Sequence, residues 1–342
     1  MGDGRRSTRV CVGAAASSYL SVRVDAGFAG KNVSAVVANT GMTIESQSTL
    51  EVGARSLAVG PDRPVVIGIL NATPDSFSDG GRYHGLEAQV ARGRALHDAG
   101  ATLVDVGGES GVTHRPAVTA DEEIGRILPL VARLAEAGVP VSVDTWKAAV
   151  ARAALEAGAV MVNDVSGLRD PEMAAACARA GASLVITHTR AAPKEKTFPA
   201  YADVVADAVS FLGQRIATAR EQGVEHTRIL VDPGIDLAKS PAQSVEVIRR
   251  LDEVRALGRP IMLAVSRKDF VGALTGRPPR DRLAGTLAAV AGGLDAGAAV
   301  LRVHDVPEVV DYLEVRAALS GSRLVPDDLR LEEALRHESA RP

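Results

Sequence analysis

The sequence predicts a single closed (β/α)8 TIM barrel, and three observations support this fold class. Short apolar runs alternate with stretches of helical spacing from residue 65 to about residue 320. A glycine repeatedly stands between a predicted helix and the next strand, which is typical of left-handed helix termination. No run of different composition interrupts the eight strand-helix units. An open, doubly wound sheet is the alternative architecture.

The chain divides into three predicted segments. Residues 1–46 mix Gly, Ser, Ala and Asn without a sustained period, which predicts a weakly ordered, flexible N-terminal extension. Residues 47–320 form the barrel and begin with an N-terminal hairpin, because two alternating stretches between residues 49 and 59 flank a glycine. Residues 321–342 are charged and contain proline, which indicates a peripheral C-terminal tail.

Each barrel strand is predicted from a short aliphatic run that is followed by a helical pattern. The predicted strands cover residues 65–70, 102–106, 139–143, 160–162, 183–186, 229–231, 261–265 and 299–303. The glycines that end the preceding helices are Gly100, Gly138, Gly158, Gly181, Gly258 and Gly297.

Composition excludes several classes of protein. Hydrophobic residues make up 46% of the 342 residues and charged residues 24%, which is the profile of a globular chain with a large core. The net charge of −3, with both signs interspersed, indicates neither a nucleic-acid groove nor a basic membrane surface. No apolar run reaches the roughly 18 residues of a membrane span. The two distant cysteines form no disulfide or zinc pattern, so the sequence predicts a cytoplasmic location.

Every predicted strand ends in a polar or ionisable side chain, and strand ends converge on one face of a barrel, where substrate sites lie. In chain order these side chains are Asn71, Asp105, Asp144, Asn163, His188, Asp232, Lys268 and Arg302, the last followed by His304. A single member such as Asp144 or Asp232 is equally well explained as a helix cap. The convergence of all eight strand ends is what predicts a functional site.

These side chains sort into two groups by charge. The carboxylate and amide groups of Asp105, Asp144, Asn163 and Asp232 suit a flat heterocycle with several N–H donors. The set Lys268, Arg302 and His304 offers cations and donors for phosphate. Asn71 supplies an oxygen for a hard cation such as Mg²⁺, whose other ligands would be water and phosphate. The residues therefore predict a site for a heterocycle that carries a phosphate group.

Seven motifs resemble the dihydropteroate synthase family, in that family's order over about residues 49–320. They start at Asn71 (Asn-Ala-Thr-Pro-Asp-Ser-Phe-Ser-Asp-Gly-Gly), Asp105 (Asp-Val-Gly-Gly-Glu-Ser), Ser142 (Ser-Val-Asp-Thr), Asn163 (Asn-Asp-Val-Ser-Gly), Asp232 (Asp-Pro-Gly), Ser266 (Ser-Arg-Lys) and Arg302 (Arg-Val-His-Asp). The resemblance implies a folate-synthesis enzyme that joins 6-hydroxymethyl-7,8-dihydropterin diphosphate to 4-aminobenzoate and releases pyrophosphate. It also implies a homodimer through the last helices.

The resemblance carries roles onto matching positions of this chain. Asp144, Asn163, Asp232 and Lys268 match pterin contacts, whereas Asn71, Arg302 and His304 match the pyrophosphate and Mg²⁺ end. Arg302 and His304 are then expected to stabilise charge on the leaving pyrophosphate. Asp144 and Asp232 are expected to stabilise positive charge that spreads over the pterin.

The chain departs from the family pattern where the family binds the aminobenzoate. Residues 111–114 read Gly-Val-Thr-His where the family continues Thr-Arg-Pro-Gly, and Leu237 stands in place of an aromatic residue. Asp269 replaces a serine that can donate to the aminobenzoate carboxylate, and an ionised Asp269 would repel that group. Alternatively, Asp269 caps the next helix and points away.

Four functions therefore remain open at the level of sequence. The first is dihydropteroate synthesis. The second is a pterin-binding paralogue with another acceptor or without synthase activity, and the third a methyl-tetrahydrofolate-binding methyltransferase domain. The fourth is a non-catalytic binding role. The cationic set at Lys268, Arg302 and His304 argues against the methyltransferase alternative.

Overall fold

The computed structural model describes residues 48–72, 85–109 and 116–336. From Ser48 onward the chain forms one compact unit. The expectations for residues 1–46, for the loop at residues 73–81 and for the changed loop at residues 111–114 fall outside the described residues.

The predicted hairpin is present ahead of the barrel. Strands β1 (Ser48–Val52) and β2 (Arg55–Val59) pair antiparallel, with Ser48 opposite Val59. Leu50 and Val59 are buried in a cluster with the inner residues of the barrel strands, such as Ile67. Because these apolar side chains fill one end of the barrel interior, the hairpin closes the end opposite the strand carboxyl termini.

Eight parallel strands follow and form a closed barrel. They are β3 (Val65–Asn71), β4 (Leu103–Gly107), β5 (Val141–Asp144), β6 (Met161–Asp164), β7 (Ser183–Thr187), β8 (Ile229–Asp232), β9 (Met262–Leu263) and β10 (Val300–Val303). Their order is β8-β7-β6-β5-β4-β3-β10-β9. A parallel bridge between Val231 and Ile261 joins the two ends of this order, and the amide of Val231 donates to the Pro260 carbonyl at 3.1 Å. The barrel prediction is thus confirmed over the open sheet.

Ten helices surround the strands in the part of the chain that is described. They are α1 (Leu86–Asp98), α2 (Ala120–Glu136), α3 (Ala148–Glu156), α4 (Met173–Ala180), α5 (Val204–Glu221), α6 (Pro241–Arg249), α7 (Leu251–Arg255), α8 (Asp269–Thr275), α9 (Leu283–Asp295) and α10 (Val306–Ser320). The six predicted terminating glycines all have positive φ, between 60° and 106°. The predicted seventh strand is shorter than expected, because only Met262 and Leu263 of residues 261–265 are in strand conformation.

The core between strands and helices is aliphatic, as the 3% aromatic content requires. Strand β4 is buried over its whole length, so its apolar run reads continuously rather than alternating. None of the described helices is long and apolar enough to span a membrane. Residues 321–336, which follow α10, are exposed.

Candidate active site

Polar side chains from four barrel strands meet around one guanidinium group. Arg302 of β10 donates from Nε to Oδ2 of Asp105 on β4 at 2.6 Å. Its Nη2 donates to Oδ2 of Asp144, the last residue of β5, also at 2.6 Å. The Nδ2 group of Asn163 on β6 donates to the same oxygen of Asp105 at 3.1 Å. Four of the predicted site residues therefore lie in one hydrogen-bonded cluster.

The register of the barrel explains how such distant residues meet. Arg302 aligns with Ile67 on β3, whereas Asp105 aligns with Ile69, two residues nearer the carboxyl end of that strand. Residues two apart on a strand share a face, so the long side chain of Arg302 reaches across β3 to Asp105. The closed barrel converts separate strand ends into neighbours.

Asp144 has an unusual charge state for a carboxyl group. The pKa of Asp144 is raised to about 7, because burial and the nearby charge of Asp105 raise it by more than the charges of Arg302 and Lys268 lower it. Its side chain retains 24% exposure, so Asp144 lies at the mouth of the barrel. A carboxyl group with this pKa changes charge near neutral pH.

Asp232 and Lys239 are both buried, and the charge of each shifts the pKa of the other. Asp232 is buried and accepts a hydrogen bond from the Gly234 amide at 2.7 Å. Burial raises its pKa, while the charges of Lys268 and Lys239 lower it. Sequence reasoning gave Lys239 no role, because a lysine at the end of a loop motif carries no signal of burial. It is 1% exposed, and burial lowers the pKa of its amine to about 7.

Lys239 ties the loop after β8 to the neighbouring strand end. Its amine donates to the carbonyls of Gly234 at 2.9 Å and Leu237 at 3.2 Å, both in its own loop. A third bond, at 3.4 Å, goes to the carbonyl of His188, directly after β7. Because one buried amine contacts three carbonyls, it fixes the path of the loop that follows Asp232.

The residues on either side of Leu237 have an unusual backbone conformation. Asp236 and Ala238 adopt left-handed φ of 63° and 52°, which is uncommon for residues other than glycine. Asp236 gains compensating bonds, because its carboxylate accepts from the Ser244 hydroxyl at 2.9 Å and from the Phe270 amide at 3.1 Å. The second contact caps α8 from a different loop.

Replacing Gly234 by alanine is expected to lower the free energy of unfolding by about 3 kcal/mol. Gly234 has φ of 71°, and a Cβ there would overlap the carbonyl oxygen of His188. Gly258→Ala is the matched control, because Gly258 has φ of 68° but open space around it. Urea-induced unfolding gives the free energy of unfolding of both variants and of the wild type. Equal losses in the two would contradict the close approach at Gly234.

The segment from Ser266 to Asp269 places its three charged residues differently. Arg267 turns away from the cluster and pairs with Asp305, with Nε 3.1 Å from Oδ2. Lys268 immediately precedes α8, and its charge lowers the pKa of Asp144 and of Asp232. Asp269 begins α8, is 78% exposed and accepts from Arg282 Nη1 at 3.1 Å. Lys268 is therefore the residue of this motif that faces the carboxylates.

The imidazole of His304 is neutral and lies beside Ser266. Its Nδ1 lies 3.0 Å from the Ser266 hydroxyl, which also accepts from the His304 amide at 3.1 Å. The pKa of His304 is lowered to about 3, mainly by burial and also by the charges of Arg302 and Arg267. The sequence grouped His304 with the cations. At neutral pH it is instead an uncharged hydrogen-bonding group.

Asn71 ends β3 beside a space where a cation could be held. A Cβ added to Gly107 would lie 3.7 Å from Oδ1 of Asn71 and 3.8 Å from Oδ2 of Asp144. Oδ1 of Asn71 thus lies close to Asp144, whose Oδ2 is bonded to Arg302, and an amide oxygen is a ligand that Mg²⁺ accepts. Within the described residues no group of three or more His, Cys, Asp or Glu side chains forms a complete metal cage. The fit is that of a cation completed by phosphate and water.

Two polar residues at strand ends serve the structure instead. His188 is fully buried, and its Nε2 lies 2.9 Å from Oδ2 of Asp207. Burial lowers the pKa of His188 to about 4. Asp164 turns into its own loop and accepts from the amides of Ser166 at 2.8 Å and Leu168 at 2.7 Å. Neither side chain joins the Arg302 cluster.

The fold and this cluster define a barrel enzyme whose site combines buried carboxylates and an amide with an arginine and a lysine. Such a site suits a nitrogen-rich ring that bears an anionic group. The chain belongs to the pterin binding enzyme family, whose pattern matches residues 67–304.

Individual relatives agree with this assignment. The dihydropteroate synthase of Bacillus subtilis is 39% identical over 260 residues, which is 75% of this chain and 89% of that protein. A probable bifunctional folylpolyglutamate synthase/dihydropteroate synthase of Haloferax volcanii is 43% identical over 258 residues; the match covers 75% of this chain and 31% of that longer protein. The structure of Xanthomonas albilineans dihydropteroate synthase with 4-aminobenzoic acid has a TM-score of 0.74 and 42% identity, covering 82% of this chain and all of that one.

Proposed function

We propose that this chain is a transferase of the dihydropteroate synthase type. It joins 6-hydroxymethyl-7,8-dihydropterin diphosphate to 4-aminobenzoate and releases pyrophosphate. The observation that carries the proposal is the bonding of Arg302 to Asp105 and Asp144 at a barrel mouth that also holds Asp232 and Lys268. The activity shared by the dihydropteroate synthase relatives supports it.

The pterin is bound by the buried polar groups of β5, β6 and β8. Oδ1 of Asn163 is buried without a partner in the protein, so it is an acceptor for a ring N–H. Asp144 and Asp232 accept further ring donors and stabilise positive charge on the pterin in the transition state. Lys268 supplies a positive charge near both carboxylates and contacts an acceptor atom of the pterin ring.

The diphosphate is bound at the β3 and β10 side of the mouth. The bonds of Arg302 to Asp105 and Asp144 use Nε and Nη2, and a guanidinium has five N–H donors, so further donors remain for phosphate oxygens. Neutral His304 adds a hydrogen-bonding group there. Mg²⁺, held by Oδ1 of Asn71 and by phosphate and water, would neutralise diphosphate charge when bound.

The bond changes are those of a single displacement. The lone pair of the arylamine attacks the methylene carbon of the pterin, and the bond from that carbon to the diphosphate oxygen breaks. The electron pair leaves with pyrophosphate, and the amine loses one proton. Arg302 stabilises the growing negative charge, and Asp144 and Asp232 stabilise the ring from which the group departs.

Asp269 is exposed and paired with Arg282, so its charge is not expected to repel 4-aminobenzoate. Substituting Asp269 with serine is expected to change the KM for 4-aminobenzoate by less than threefold, because the carboxylate is 78% exposed and already paired with Arg282. Steady-state kinetics at saturating pterin diphosphate give this value. A tenfold or larger fall in KM would show instead that Asp269 repels the aminobenzoate carboxylate, as the sequence suggested.

Three further assignments belong to the proposal. The segments are an extension at 1–46, a barrel at 47–320 and a tail at 321–342. The location is cytoplasmic, supported by the cysteine pattern. The assembly is a homodimer through the last helices, supported by Val315 and Leu319 of α10, which are 59% and 85% exposed.

One assay tests the function. The purified chain is supplied with the pterin diphosphate and Mg²⁺, with and without 4-aminobenzoate, and pyrophosphate release and product mass are followed. Aminobenzoate-dependent formation of dihydropteroate is the expected result. Release with a different acceptor, or pterin binding without release, would overturn the proposal in favour of a paralogue.

A further inference from the structure

Asp105 is the most enclosed member of the Arg302 cluster. It is the third residue of β4 and is 1% exposed, whereas the side chain of Asp144 is 24% exposed. A single oxygen, Oδ2, accepts from both Arg302 Nε and Asn163 Nδ2. A buried carboxylate is retained only where it is paired, and here both partners are substrate-binding residues of the proposed function.

We propose that Asp105 is a positioning residue that orients Arg302 for the diphosphate and Asn163 for the pterin through one carboxylate oxygen. The inference rests on the proposed function for the identity of the ligands. It differs from the expectation that the sequence raised, in which Asp105 itself contacted the substrate.

The bond to Nε explains why Asp105, and not Asp144, sets the orientation of Arg302. Nε is the guanidinium nitrogen attached to the aliphatic stem, so a bond there fixes the plane of the group. The bond of Asp144 goes to the terminal Nη2 from a partly exposed side chain. Nη2 can therefore exchange Asp144 for a phosphate oxygen while the Nε bond to Asp105 persists. The guanidinium keeps its plane, and Asp144 becomes available to the pterin.

The bond to Asn163 orients the amide in the same way. Because Asp105 accepts, the amide must present its Nδ2 donor to Asp105. Its Oδ1 is then directed elsewhere, and it is buried without a protein partner. Oδ1 of Asp105 is likewise buried and unpartnered, so a direct contact with the pterin is the alternative that the double-mutant cycle below must exclude. Asp105 thus presents Asn163 as an acceptor, which is the role that a ring N–H requires.

The test measures binding of inorganic pyrophosphate in the presence of Mg²⁺ by calorimetry. We expect Asp105→Asn to raise the Kd for pyrophosphate at least tenfold and to lower kcat, because the neutral amide no longer holds the arginine Nε firmly. Asp105→Glu keeps the charge but displaces the oxygen, and it should weaken pyrophosphate binding as well. Thermal unfolding confirms that each variant is folded.

A double-mutant cycle separates positioning from direct contact. In an Arg302→Lys background, which keeps a cation but lacks Nε, Asp105→Asn should change the Kd for pyrophosphate by less than threefold. An equal loss in both backgrounds would overturn the proposal, as would an unchanged Kd in the Arg302 background. Asp164→Asn is the matched control, because Asp164 is equally buried but bonds only within its own turn. It should lower the Tm without altering the Kd.

The double-mutant cycle measures pyrophosphate binding and does not require that the chain forms dihydropteroate. Dihydropteroate formation by the wild-type chain is measured on the same preparation. If the wild type formed no dihydropteroate but the cycle behaved as expected, the proposed function would fall and the role of Asp105 would stand. If the wild type were active but the cycle showed no coupling, the role of Asp105 would fall alone.

Discussion

Replacing Arg302 by alanine is expected to lower kcat on the order of 10³-fold, the largest effect at this site. The change removes the donors that stabilise the leaving pyrophosphate. It also leaves two carboxylates, Asp105 and Asp144, without the cation that both contact at 2.6 Å. A buried carboxylate that loses its partner becomes protonated or destabilises the fold, so the variant should also have a lower Tm. Pyrophosphate release under saturating substrates measures kcat, and thermal unfolding measures the second effect.

Two control variants show whether the loss is specific to the guanidinium of Arg302. Arg302→Lys keeps the charge but loses the planar fork, so its kcat should lie between those of the alanine variant and the wild type. Arg133→Ala removes an exposed arginine that pairs with Glu87 on the barrel exterior, and kcat should not change. A loss of less than tenfold in Arg302→Ala would show that the leaving group is stabilised elsewhere.

Substituting Asp144 with asparagine is expected to lower kcat/KM for the pterin diphosphate about a hundredfold at pH 8. The carboxylate that stabilises charge on the pterin is replaced by a neutral amide of the same shape. Because kcat/KM reports ionisations of the free enzyme, the loss should depend on pH.

The direction of the pH dependence follows from the raised pKa of about 7. Below pH 7 Asp144 of the wild type is protonated and already lacks the charge. The wild-type kcat/KM should therefore rise as the pH increases through about 7, and the Asp144→Asn profile should lack this rise. The substrate phosphates also titrate in this range, but they do so equally for both proteins, so the comparison isolates Asp144. Parallel profiles would show that Asp144 is not the titrating group.

The strand ends illustrate how far the sequence alone could locate the site. Asp105, Asp144, Asn163 and Arg302 each lie within or directly after an apolar run, and the structure brings these four into one cluster. His188 satisfied the same criterion but is bonded to Asp207 outside the cluster. Position at a strand end determines the face of the barrel, whereas the partner of a side chain depends on elements far away in sequence.

The charged residues near the acceptor subsite show the opposite case. The replacement of serine by Asp269 was visible in the sequence, but its direction was not, and the side chain turns outward to Arg282. Asp236 was not among the residues that the sequence singled out. Its bond to the Phe270 amide joins its loop to the first turn of α8, 34 residues further along the chain. Such contacts depend on backbone φ angles and on neighbouring loops, which no local pattern encodes.

By itself the sequence determined the barrel, its terminating glycines and the face that carries the chemistry. It could do so because strand and helix periodicity and the chirality of βα units are local properties. Only the tertiary structure decided that Arg302 bridges two carboxylates, that Lys239 is buried and that His304 is neutral. The reason is physical. Hydrogen-bond partners and pKa values depend on distances and burial, and these exist only after residues far apart in the chain have packed together.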